Sequence, residues 1–148
     1  MVAKLSDNHF NHKIMSAVIA IAISVPLALI FILTGLPLFL KKVKRNYFFG
    51  FRVTRYAMLD QEIWYAVNRR GGQHLLIIGG LLTICAALSI IFRQSVAAQS
   101  SLLYADLAIT VVGSLYAAIS GQALNNHLAK VKGLRDHIDT KHAYKFEN

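Results

Sequence analysis

Few side chains in this 148-residue chain have both the type and the placement for chemistry. Asp106 is the one acid beside an apolar stretch, and a carboxylate in that setting is a candidate proton or ion site. Arg93 lies across a short polar interval and can pair with it. If the helix carrying Asp106 starts near Leu102, the acid sits about 6 Å from the helix end; a start near Val96 puts it about 15 Å in. The cost of a deep charge favours the shallow placement, with a structural ion pair. The second candidate is the stretch from Asn46 to Gly72. It sets Asn46, Gly50, Arg52, Glu62, Trp64 and Asn68 among further aromatic residues. Arg52 offers a five-donor fork suited to Glu62, to helix-end carbonyls or to a lipid phosphate. Gly50 permits a backbone conformation or close approach that a side chain forbids. Asn46 and Asn68 can satisfy backbone groups where the loop meets the membrane, so a structural clamp outweighs a ligand site here.

Other chemistry is poorly supported. His9 and His12 are too few for a metal site, and His127, His137 and His142 lack ligand spacing. His74 reads as interfacial. The single cysteine, Cys85, allows no internal disulfide and reads as a small packing residue. There is no phosphate loop, dinucleotide fingerprint or nucleophile–base arrangement. The expectation is a protein without metal or cofactor, and not an enzyme.

The elements that must position these residues follow from the apolar runs. Hydrophobic residues make up 55% of the chain and charged ones 16%, yet the net charge is +9. No charged residue interrupts 14–40, 71–92 or 107–126, and none of these runs has a polar face. We therefore expect an all-α integral membrane protein with three transmembrane helices, at about 14–40, 73–92 and 102–126. The motif loop would cover 41–72, between an N-terminal tail at 1–13 and a charged tail at 127–148. Pro26 should bend the first span, and Pro37 should stop or kink it. The first run is too long for the apolar core of a signal peptide. Small residues recur every fourth position: Ser16, Ala20, Ser24 and Ala28, then Gly79, Thr83 and Ala87, then Gly113, Ala117 and Gly121. Such stripes let helices approach closely and favour a compact bundle, with a homodimer as a use for surplus stripes.

Within the loop, the second half reads as a short interfacial helix. Asp60 is its N-cap, Leu59 staples against Trp64, and Ile63, Trp64 and Val67 form an apolar face. Arg69 and Arg70 suit its last turn, and Gly71-Gly72 end it before the second span. Most cations fall in this loop and the C-terminal tail, which three spans place on one side. That asymmetry gives an N-terminus outside and a C-terminus inside. It also explains the basic balance without nucleic acid, and makes membrane lipids, anionic headgroups above all, the default partner.

The pattern Asn46…Gly50-Phe51-Arg52…Leu59…Glu62-Ile63-Trp64…Asn68-Arg69…Gly72 resembles the signature of the SdpI family. These are bacterial integral membrane proteins. The resemblance covers the 27-residue motif, and the flanking apolar helices fit the family layout. It implies residence in the bacterial inner membrane and immunity to, or sensing of, a membrane-active peptide toxin. It also implies a signalling alternative, in which the basic loop recruits a soluble regulator. A third possibility comes from Asp106 itself: a small ion- or proton-coupled transporter subunit. The family's shared positions would be Asn46, Gly50, Arg52, Glu62, Trp64 and Asn68. Val53 here stands between Arg52 and Thr54, where the family commonly has Thr directly after the Arg.

Overall fold

The computed structural model describes residues 2–45, 50–51 and 55–134. Its elements are α1 (Val2–Phe39), α2 (Arg55–Leu59), α3 (Gln61–Ile91) and α4 (Val96–Val131). Three stretches are long and apolar enough to cross a membrane: Ala17–Phe39, Gln61–Ile91 and Val96–Val131. The all-α three-span architecture expected from the sequence is therefore the one found, with a short helix between the first and second spans. α3 is the central helix, packed against both α1 and α4.

Where the spans meet, small residues fill much of the interior while many large apolar side chains face outward. Ala20, Ser24, Ala28 and Ala117 are buried, whereas Leu33, Ile91, Val112 and Ile119 are each at least 65% exposed. Lipid tails solvate large apolar side chains, so nothing drives these inward; small residues hold the interior because they let backbones meet. The α1–α3 crossing shows this most clearly. A Cβ at Gly72 would stand 2.5 Å from the Phe39 amide nitrogen and 2.7 Å from the Gly35 carbonyl oxygen. One at Gly79 would stand 2.7 Å from Ile32. In the stripe containing Gly79, however, Thr83 and Ala87 are exposed.

Several local expectations need correction. Gly71-Gly72 do not end a helix. The stretch read as a separate interfacial helix is the first part of α3, and the short helix is α2. Glycines usually signal a stop because they lack helix propensity, but here α1 covers Gly72, the Phe51 ring covers Gly71, and these close contacts outweigh that deficit. Leu59 is 58% exposed and is not part of the cluster around Trp64. The helix continues past Pro37 to Phe39. It ends in a Schellman turn: the Lys42 N–H donates to the Pro37 carbonyl (3.0 Å) and the Lys41 N–H to the Leu38 carbonyl (3.2 Å). Lys41 takes the left-handed position, φ 56°, usually given to glycine.

At the far end, α4 starts at Val96 rather than near Leu102. Ser95 caps it by accepting from the Ala98 N–H. In the polar run after it, the side chains bond to nearby backbone carbonyls. Ser100 and Ser101 donate back to the carbonyls of Val96 and Ala97. Gln99 donates to the Ser89 carbonyl at 2.8 Å, which satisfies one of the carbonyls orphaned at the end of α3.

Candidate functional site

The motif residues within the described chain converge at one end of the bundle. Asp60 N-caps α3, its carboxylate accepting from the N–H groups of Glu62 (2.8 Å) and Ile63 (3.0 Å). That cap fixes the first turn of α3 and turns Ile63, Trp64 and Val67 inward, where all three are fully buried with Ala57 of α2 and Ala129 of α4. Trp64 is thus a core residue and not an interfacial anchor. Its indole N–H donates to the Val43 carbonyl at 3.2 Å.

One turn further on, Asn68 works in both directions. Its Nδ2 donates to the Trp64 carbonyl (2.9 Å), and its Oδ1 accepts from the Phe51 N–H (2.7 Å). Gly50 completes the arrangement with φ 118°, and a Cβ there would stand 2.5 Å from Asn68 Oδ1 and 2.9 Å from Trp64. The Phe51 ring lies against Gly71. Gly50, Trp64 and Asn68 therefore stitch the connecting segment onto α3. Asn46 and Arg52 lie outside the described residues.

Glu62 is exposed and faces α4, where Lys132 bridges it (2.5 Å) and Asp60 (2.8 Å). This ion pair ties the start of α3 to the end of α4, and sequence reading did not anticipate it. The signal would have been the three-span topology itself, which brings residues 60–62 and 132 to one end. Lys132 holds the Asp60 carboxyl below its ordinary 3.8, helped by the Ile63 and Glu62 N–H groups.

Beside this clamp runs an open groove of ≈ 740 Å³, lined by Lys41, Tyr65, Arg69, Arg70 and Gln73 among others. The Arg69 guanidinium lies 5.5 Å from the Phe39 ring centroid. Arg70 reaches Ser120 of α4 (3.5 Å), which also meets the His74 ring nitrogen (3.2 Å). His74 in turn packs edge-on against Tyr116 at 5.1 Å. The groove offers exposed guanidinium and ammonium groups next to an aromatic wall, a surface suited to anionic or amphipathic matter.

Asp106 lies elsewhere, ten residues inside α4 and 2% exposed. This is the deep placement, about 15 Å from the helix start, and not the shallow one. The Ser24 hydroxyl of α1 bonds Asp106 Oδ2 and is also 2.8 Å from the Ala20 carbonyl. The Cys85 thiol of α3 is a further neighbour of the carboxylate. Arg93 is exposed in the α3–α4 turn, and among the described residues the ion pairs are those of Lys132. The expected Arg93–Asp106 pair is not made, because the earlier start of α4 carries the acid away from the turn. In the sequence, Ser24 reads only as a small packing residue. Its hydroxyl, placed mid-run in an uncharged span, was the available clue.

Among known proteins, the family model described as "SdpI/YfhL protein family" matches residues 42–121. No curated protein and no solved structure gives a match. The matched stretch contains the clamp, most of the groove and Asp106, and it covers more than half of the chain. This chain belongs to the SdpI/YfhL protein family and is a membrane protein of that kind.

Proposed function

We propose that the protein is a non-catalytic component of the bacterial inner membrane that protects against, or senses, a membrane-active peptide. The family match over residues 42–121 carries this reading. The geometry supports a division of labour inside the matched stretch. Gly50, Trp64 and Asn68 are spent on holding the segment to α3. The neighbouring groove, with Lys41, Arg69 and Arg70, is the surface left to meet a ligand. With the N-terminus outside, the groove faces the cytoplasmic headgroup region, where amphipathic peptides and anionic lipids partition. Deleting the gene raises sensitivity to at least one peptide in a panel of membrane-active toxins. The wild-type gene restores resistance, and an Arg69→Gln/Arg70→Gln double variant present at normal levels does not. Unchanged sensitivity across the panel sinks the proposal.

The signalling alternative rests on the same exposed basic groove: a soluble regulator with an acidic face would dock there. Retention of a cytosolic regulator by membranes carrying the full-length protein, lost in the double variant, separates it from direct protection.

A further inference from the structure

We propose that Asp106 is the centre of a buried site for one small monovalent cation, a proton or an alkali-metal ion, between α1, α3 and α4. The inference goes beyond the immunity reading and does not depend on it. Its starting point is charge. Asp106 is 2% exposed, ten residues inside a spanning helix. A carboxylate so placed is costly unless a positive charge balances it. Among the described residues, no side chain around it supplies one. From α1, the facing group is the Ser24 hydroxyl. From α3 it is the Cys85 thiol. On α4, Tyr104 is 74% exposed and Arg93 lies beyond the helix in the turn. α1 carries no charged residue from Ile14 to Phe39.

Hydrogen counting leads to the same place. A serine hydroxyl has one hydrogen, yet Ser24 Oγ contacts both the Ala20 carbonyl and Asp106 Oδ2. That hydrogen serves Ala20 or Asp106; when it goes to Ala20, a positive particle between Ser24 Oγ and Oδ2 keeps the two oxygens together. A proton on Oδ2 meets the need, donating to Ser24 Oγ. An alkali ion shared by these oxygens meets it too. The second carboxylate oxygen, Oδ1, has no hydrogen-bond partner among the described residues. The hydroxyl of Thr110, one turn along α4, is buried and likewise unpartnered. The site thus has oxygen ligands to spare. One carboxylate balances a single charge, and no group of three His, Cys, Asp or Glu is found among the described residues, so a divalent ion is disfavoured.

The same contact bridges α1 to α4 across the bundle, so occupancy of the site is coupled to how these two helices sit. The test uses the full chain in lipid vesicles, with aspartate carboxyls isotopically labelled for infrared spectroscopy. A proton gives a protonated-acid carbonyl band at neutral pH that is lost in Asp106→Asn. An alkali ion gives instead a carboxylate band, and an unfolding midpoint, that shift when sodium or potassium replaces N-methylglucamine; both shifts are lost in Asp106→Asn. Ser24→Ala separates site from scaffold, and it decides the matter should Asp106→Asn fail to fold. It moves the acid band to higher frequency, or weakens the ion response several-fold. An ionised Asp106 carboxylate at neutral pH, indifferent to sodium and potassium, overturns the proposal. So does an acid band or ion response that Ser24→Ala leaves unmoved.

Discussion

Gly50 and Asp60 show how single residues hold the motif end together. Gly50 has a positive φ and no room for a side chain against Asn68 and Trp64. Gly50→Ala should cost about 1–3 kcal/mol through strain and displacement of these partners, read as a lower thermal midpoint in detergent. Asp60 has two tasks, capping α3 and pairing with Lys132. Asn caps as well as Asp but carries no charge. Asp60→Asn should therefore keep the cap and lose only the pair, whereas Asp60→Ala loses about a further 1 kcal/mol. The pH dependence follows from the direction of each shift. Asp60 is held below 3.8 in the folded protein, so its contribution is complete above that value and is lost as pH falls through the folded-state value. Lys132 is raised above 10.5 by its bonds to Asp60 and then Glu62; its share is complete below 10.5 and is lost as pH rises further. Between these limits the pair is insensitive to pH but weakened by salt. Melting curves of wild type and Asp60→Asn should converge in acid and at high ionic strength; a constant gap in acid would refute the assignment.

At the scale of elements, the α1–α3 contact is the decisive one. Gly72 meets the backbone of α1 itself, and backbone cannot rotate out of the way. Gly72→Val should prevent the helices from seating and abolish a cooperative unfolding transition in detergent. Gly80 provides the control, since a Cβ there meets nothing within 4 Å. Gly80→Ala should leave the bundle intact and raise stability by up to about 1 kcal/mol through helix propensity. Equal damage from both variants would mean that close approach is not what the glycines supply. The sequence shows two glycine pairs, 71–72 and 79–80; the four-residue stripe picks out Gly79 from the second, but nothing ranks Gly72 against Gly71. Which glycine faces α1 depends on the rotation of α3, and packing partners set that rotation. The Asp60 cap, by contrast, is legible because it is a local event, confined to one turn and its own N–H groups.

For the whole molecule, three spans put the motif segment and the end of α4 together, and Lys132 joins them. Orientation is testable in a Cys85→Ala background. An impermeant thiol reagent applied to intact cells should label Arg93→Cys, and should label Lys130→Cys only after permeabilisation; the reverse pattern would overturn the N-out reading. The apolar runs alone determined the number of spans and the helical class, because a lipid interior permits little else to a chain with such runs. The motif residues by themselves also marked the family and the end of the molecule where its described shared positions gather. The tertiary structure decided the rest. It made Trp64 a core residue, carried α3 through Gly71-Gly72, and moved Asp106 from a shallow ion pair with Arg93 to a buried contact with Ser24. Each outcome depends on a partner distant in sequence. Helix propensity and charge cost are local quantities, and here a close backbone contact and a bonding neighbour 82 residues away overrode them.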